Sequence, residues 1–561
     1  MRDKIVERSI EGAVDQKEPP DIKGIISIVK EGGKELLTAE EYDEYSVYEN
    51  EIYSSQNPDD HNANLADHVE RIDNSYINRL ANDIKEWVDN DLNSRKDWMA
   101  KEVRGIRLLG LSDKTIGGGS FKGASKVTHP LLIEACTQFQ ARAIAEIWPS
   151  DGPVNTIIVG KIDDEKEQQA LRVKNYMNYQ YGKQMPDAFE DEDKMLFRLP
   201  LSGSCFKKTF YNPMEDMVVS RFVESSVMIV PYAATSLKTA VRYTEKFDES
   251  ANETLKKMAA GIYRDVPIRT TDYSNNEKTI VEEEIDDTQG KEFVQYEGDH
   301  LSTRYECYCN LDLPGFEDIT EDGEVTGISL PFVVTIDYDN EDVLAIRRNW
   351  KQHDRKKSRR VYYTHYRFLP GLGFYGYGLT HAIGGLAESA TGALRSLLDA
   401  AGFANTKGGY KTRDARITGG DSPIGMGEWR EVDTTADDLK SAFFALPYDE
   451  PSKTMFELLG MLDDLGRRFA STTEAMVGEA SNNGPVGTTL ALIEQGSKVS
   501  SAIHKRLHHS TAHEFNLLAE LNGEYLPDDY PYSVPGKDLY ILSKDFDDRV
   551  DVIPISDPNS I

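Results

Sequence analysis

From Ala66 onward apolar residues recur at three- and four-residue steps, with Val69, Ile72, Ile77, Leu80, Ile84, Trp87, Val88 and Leu92 marking the rhythm. That period puts them on one face, so the spacing predicts an amphipathic helix over residues 66–93. His129-Pro130 opens LLIEACTQFQARAIAEIW, with proline in the first turn and a stop between Pro149 and Pro153. A further helical pattern, EKEQQALRVKNYMNYQYGKQM, begins at Glu165.

After Gly203 the texture changes to that of strands: CFKKTFYN, VVSRFVE and SVMIVPY, separated by turn residues. Residues 246–300 are polar and acid-rich, and then RYECYCNLDL, PFVVTIDYD and VLAIRRNW read as strands, the last two joined around Asn340 as a hairpin. The β-rich part ends near Phe368. From Leu379 the chain is again helical, then Gly-rich to Ser452, helical over KTMFELLGMLDDLGRRFAST, open in GEASNNGPVG, and helical from Thr488 to about Tyr525. This is an α+β layout.

At 561 residues the chain exceeds what one hydrophobic core supports, so two or more structural units are expected. Hydrophobic residues at 39% and charged ones at 29% place it among globular chains, while residues 1–65, acidic and rich in Tyr and Asn, read as a loosely structured arm. The net charge of −32 disfavours a tight nucleic-acid binder. It suits solubility, and equally a conduit along which a duplex slides without being gripped. Four scattered cysteines do not make a disulfide scaffold, the N-terminal stretch has no signal-peptide core, and no stretch approaches the ~18 apolar residues of a membrane span. A reducing compartment and no membrane are the expectation.

Each motif that could carry chemistry has a plainer reading. GLGFYG (Gly371, Gly373, Gly376) fits the dinucleotide fingerprint, but Pro370 interrupts the approach, Asp399 falls in a predicted helix, and no βαβ texture surrounds it. GGGSFKG, between Gly117 and Gly123, lacks the ending of a phosphate loop. His504 and His508 share one side of a helix and His509 and His513 another, about 140° away, so the four do not converge on one metal. Acidic runs read as solvated faces. No catalytic residue, cofactor or metal is therefore expected.

The exception to the acidity is RRNWKQHDRKKSRR, in which Arg347, Arg348, Lys351, Arg355, Lys356, Lys357, Arg359 and Arg360 oppose the single acid Asp354. Such a patch suits contact with DNA or ion pairing with a neighbouring acidic subunit.

Five stretches in order carry a family resemblance: SRKDWMAKEVRGIRLLGL (residues 94–111), THPLLIEACTQFQARAIAEIWPSDGPV (128–154), EKEQQALRVKNYMNYQ (165–180), LPLSGSCFKKTFYNP (199–213) and LPGLGFYGYGLTHAIGGLAESATGALRSLLDAAGFANTKGG (369–409). Together they resemble the portal proteins of short-tailed double-stranded DNA phages, from about residue 66 to the end. The resemblance implies the portal fold: an α/β wing at 66–381 after the arm, a first stem helix at 382–406 and a small α/β clip at 407–451. A second stem helix at 452–473, a tunnel loop at 474–487, a long wing helix at 488–526 and a C-terminal segment at 527–561 complete it. Relatives continue into a helical crown, whereas this chain stops at Ile561.

Further implications concern function. The resemblance implies a ring of about twelve copies at one capsid vertex. Double-stranded DNA would pass through it during packaging and ejection, with major capsid protein and scaffold, terminase, and later tail adaptor and ejection proteins as partners. The ring would be assembled in the host cytoplasm, reside in the virion and catalyse nothing. Ser481, Asn482, Asn483 and Gly484 are then candidates for weak phosphate contact in the tunnel loop. Arg413, Arg416, Trp429 and Arg430 are candidates for docking at the clip. The small-residue-rich first stem helix permits close approach of neighbouring helices. The competing readings are an acidic multidomain enzyme of unknown chemistry and another head-to-tail connector component, which should be shorter.

Overall fold

The computed structural model describes residues 58, 60–112, 124–150, 152–267, 278–291, 301–320, 324–405, 450–469, 502–534, 536–547 and 549–555 in full. For residues 27–30, 33–36, 409–411, 416–417, 432–433, 443–445 and 486–501 it gives the backbone path. The first half of the chain runs β1 (Ser27–Lys30), β2 (Gly33–Leu36), α1 (Ala66–Ile72), α2 (Asn74–Ser94), α3 (Lys96–Leu108), α4 (Leu131–Ile147), β3 (Val154–Ile158), α5 (Asp164–Tyr179), α6 (Ala188–Ser202), β4 (Ser204–Asn212), β5 (Met217–Val223), β6 (Met228–Ile229), β7 (Tyr243–Ser250), α7 (Ala251–Ala259) and α8 (Ile280–Gln289). The second half runs β8 (Leu301–Leu311), β9 (Leu330–Asp337), β10 (Asp342–Arg348), β11 (Tyr363–Arg367), α9 (Leu379–Asn405), β12 (Gly409–Lys411), β13 (Arg416–Ile417), β14 (Val432–Asp433), β15 (Phe443–Ala445), α10 (Lys453–Phe469), α11 (Val486–Tyr525), β16 (Asp529–Val534), β17 (Lys537–Leu542) and β18 (Val550–Pro554). Helices and strands are mixed, as the α+β expectation has it.

The chain divides into two units: Met1–Val88 with Val241–Asn276 and Tyr296–Arg360, and Asp89–Ala240 with Glu277–Gln295 and Val361–Ile561. Residues 66–381, expected as one wing, contribute to both. In the first unit, β7 to β10 pair antiparallel in sequence order, and the expected hairpin joins Asp337 to Asp342. β8 is buried on both faces, with Tyr305, Cys307 and Cys309 on one side and Arg304 and Tyr308 on the other. A buried cation needs a partner, and Arg304 has Asp337 at 2.6 Å. The single helix expected over 66–93 breaks at Asp73. Its extended backbone (φ −147°, ψ 91°) ends α1, and its Oδ1 accepts from Ser75 Oγ at 2.6 Å and Tyr76 N–H at 3.1 Å, capping α2.

In the second unit α6 and α11 pack on the three-stranded sheet β11-β4-β5, and α5 packs on the β3-β18 pair. Val173, Tyr176 and Met177 of α5 meet Phe515, Leu518 and Leu521 of α11 and Val552 of β18 in one buried cluster. Two helices lie in the stretch read as merely polar. α7 and α8 each begin with a capping box, Ser250 with Glu253 and Thr279 with Glu282, in which side chain and backbone exchange hydrogen bonds. Residues 529–555 form the β16-β17 hairpin and β18, which the expectation of a plain C-terminal segment did not include. Among the described residues no helix is long and apolar enough to cross a membrane.

Candidate functional site

The helices expected as stems, α9 and α10, pack on each other and on α4. His129 marks a level they share: its N–H donates to Thr391 Oγ1 at 3.1 Å, and its ring Nε2 lies 3.9 Å from Asp463. Arg467 adds an ion pair to Glu134 at 3.0 Å. On α10 the inward side carries Met455, Leu459, Leu462 and the buried Gly466, where an added Cβ would strike Leu131.

What these helices leave uncovered is informative. Leu458, Met461 and Leu465 follow at i, i+3 and i+7, which aligns them as one stripe, and they are 45%, 62% and 46% exposed. On α9, Gly385, Ser389, Gly392 and Ser396 follow at i, i+4, i+7 and i+11 and are all exposed. Among the described residues a Cβ at Gly385 or Gly392 would meet nothing within 4 Å. A glycine in a helix interior costs about 1 kcal/mol relative to alanine. The packing of the described residues gives no reason for either.

Two of the three glycines of GLGFYG, Gly371 and Gly376, and the following Gly378 have a reason of another kind, whereas a Cβ at Gly373 would meet nothing within 4 Å among the described residues. A Cβ on Gly376 would lie 2.4 Å from Gly203 O, one on Gly378 2.4 Å from Leu201 O, and one on Gly371 1.8 Å from Tyr375 O. Phe374 stacks on His365 at 4.8 Å and Tyr375 on Trp98 at 4.3 Å. The motif is the point where the chain closes on its own backbone. Asp399 accepts from Ser125 N–H at 2.6 Å, far in function from a ribose ligand.

Four of the eight cations in the basic stretch are bonded to acceptors of their own chain. Arg348 donates to Pro58 O at 2.8 Å and Asp60 O at 2.9 Å, Arg347 to Ile262 O at 3.1 Å, Lys357 to Asp318 at 2.5 Å, and Arg359 to Asn310 Oδ1 at 2.8 Å. Arg360 is half-buried, and Lys351, Arg355 and Lys356 are exposed. Of the clip candidates, Arg416 falls on β13, whose backbone alone is described, and Arg413, Trp429 and Arg430 lie outside the described residues. So do the tunnel-loop candidates Ser481, Asn482, Asn483 and Gly484, and the Gly-rich turn at 117–123.

The long helix α11 is fastened at several points, two of them through buried or half-buried carboxylates. His504 and His508, on one side of it as their spacing requires, both bond the Glu146 carboxylate, His508 Nε2 at 2.8 Å. His513 points elsewhere, its Nδ1 3.1 Å from Thr364 Oγ1, and His509 is exposed. Burial raises the Glu146 carboxyl, but the hydrogen bonds from the two histidines outweigh it and hold it at about 2.

Nearly two turns beyond His508, Glu514 is fully buried against the sheet. Its Oε1 accepts from Tyr181 Oη at 2.5 Å, Ser220 Oγ at 2.7 Å and Lys207 Nζ at 3.2 Å, and its Oε2 accepts from Tyr366 Oη. Lys207 also donates to Glu192 Oε2 at 2.5 Å. One cation thus stands between two carboxylates. Burial raises both, yet Lys207 and three hydroxyls hold Glu514 below the usual carboxylate range. Glu192, whose Oε1 has no hydrogen-bond partner among the described residues, stays above it, burial outweighing Lys207. Sequence reading did not find this cluster. No protein-family model matches the chain, and no curated protein matches it.

Proposed function

We propose that this chain is a portal protein of the kind found in short-tailed double-stranded DNA phages. About twelve copies form a ring at one capsid vertex through which the genome is packaged and ejected. The ring is a conduit and performs no chemistry. The segment between α9 and α10 docks terminase and then the tail adaptors.

The observation that carries this reading is the pair of unmatched surfaces on α9 and α10. The apolar stripe of Leu458, Met461 and Leu465 is a set of knobs, and the Gly385–Ser389–Gly392–Ser396 side is a smooth face. They are different surfaces, so knobs of one copy on the smooth face of the next make a heterologous contact, which repeats until it closes into a ring. Each stripe residue is about half exposed, and covering it is worth about 1 kcal/mol, or about 3 kcal/mol per contact. That exceeds the roughly 2 kcal/mol that the two exposed glycines cost the helix. The anchoring of α11 by Glu146 and Glu514 fits the same reading, since the helix that follows the tunnel loop needs a fixed base.

Sedimentation of the purified full chain tests it. The expected particle has roughly twelve times the 63.1 kDa of one chain. A monomer or dimer at micromolar concentration, with no larger species, would overturn the reading.

A further inference from the structure

β3 is an edge strand whose one partner among the described residues is β18. Val159 N–H donates to Arg549 O and Ile555 N–H to Pro153 O. In an antiparallel pair this alternation turns the backbone of Asn155 and Ile157 toward β18 and that of Val154, Thr156 and Ile158 to the open side. Asn178 closes the first of these three: its Nδ2 donates to Val154 O at 2.9 Å and its Oδ1 accepts from Val154 N–H at 2.9 Å. Among the described residues no hydrogen bond engages the N–H or C=O of Thr156 or Ile158. Four backbone groups stand ready for another strand.

A groove of about 750 Å³ runs beside them. Of its apolar lining, Ile157, Ile162 and Leu171 are 51%, 63% and 56% exposed, while Ile158 is half-buried and Ala170 buried. Asp164 and Glu167 stand at the end where β3 finishes, and Lys174, bonded to Asn155 Oδ1 at 3.1 Å, stands where it begins. An occupant that matches this is extended, apolar at alternate positions and cationic at the end that meets Asp164 and Glu167.

We infer that this edge receives residues 25–30, IISIVK, from the N-terminal arm of a second copy. The stretch is the longest apolar run in the arm, it is rich in β-branched residues, and the backbone of Ser27–Lys30 is a strand. Ile26 and Ile28 supply alternate apolar side chains. Lys30 reaches Asp164 and Glu167 when the strand runs parallel to β3. The 21 residues that follow the β1–β2 hairpin, 37–57, are enough chain to span at most about 70 Å, sufficient to reach a neighbour. The inference rests on the ring reading, which brings copies side by side, and it gives the arm a role in assembly, lacing each copy to the next by strand addition.

Disulfide trapping in the full chain tests it, with low background because Cys136, Cys205, Cys307 and Cys309 are buried. Ile28→Cys and Ile157→Cys are made as separate, differently tagged chains, co-expressed and mildly oxidised. The expected product is a mixed dimer, reduced about threefold by Lys30→Glu and abolished by Thr156→Pro, which removes an edge N–H. No mixed dimer, with a cross-link formed instead within a control chain that carries both Ile28→Cys and Ile157→Cys, or no cross-link at all, overturns the inference. Sedimentation of the same sample separates the two failures: a ring without the mixed dimer refutes the lacing alone, and a monomer refutes the ring reading with it.

Discussion

Gly385 and Gly392 give opposite results depending on whether a second copy meets α9. In an isolated protomer both positions are open, so Gly385→Ala with Gly392→Ala should stabilise the helix by about 0.8–1 kcal/mol each, close to 2 kcal/mol together. In a ring with helices in close approach, bulk there is penalised. Gly385→Leu with Gly392→Leu should overpack each contact by about 2 kcal/mol, which weakens each association about 30-fold. Denaturant unfolding of dilute protein reads the first effect, and sedimentation across a concentration series reads the second. If the leucine variant assembles as the parent does, no helix approaches that face. If the alanine variant is less stable as a protomer, the glycines serve the chain's own packing and the reasoning fails there instead.

Lys207→Met should destabilise the second unit by about 3–5 kcal/mol, because it leaves Glu192 and Glu514 facing each other in the core; chemical denaturation of the variant measures this. Arg348→Glu should cost about 1–3 kcal/mol through lost bonds to Pro58 O and Asp60 O, read by chemical denaturation. It should leave the salt dependence of any DNA retention unchanged, whereas a phosphate-binding arginine would lower that slope by about one. Glu146 has a folded pKa below its unfolded one, so its contribution is present above about pH 4.5 and is lost as pH falls toward about 2. With solvent screening it amounts to about 1 kcal/mol. Thermal unfolding of Glu146→Gln should therefore lose less stability than the parent across that window.

The order of the main elements was legible because the apolar periods of α4, α5, α9, α10 and α11 are long and uninterrupted. Shorter signals were overridden or overlooked. The rhythm from Ala66 to Leu92 runs straight through Asp73, where a capping carboxylate breaks the helix without disturbing the period. The capping boxes at Ser250 and Thr279 were present as S-x-x-E and T-x-x-E, yet the surrounding acidity hid two helices. The Glu192–Lys207–Glu514 cluster had no local signal at all, since Glu514 lies 307 residues from Lys207 and only the folded sheet brings them together. The cations of residues 347–360 looked like a patch in sequence, but a strand pleat and a turn send Arg347, Arg348, Lys357 and Arg359 to different acceptors. Leu458, Met461 and Leu465 could be aligned from spacing, although which stripe of α10 is covered depends on α9 and α4.

In the proposed ring, α9 and α10 of successive copies surround a common axis. A reconstruction of the purified particle by electron microscopy, at a resolution where helices are rods, tests it most directly. The expected image is a ring whose channel admits a duplex and is walled by Leu379–Asn405 and Lys453–Phe469, with Met461 of one copy against Gly392 of the next. A solid particle, or a ring in which those two helices lie on the outer rim, would contradict it.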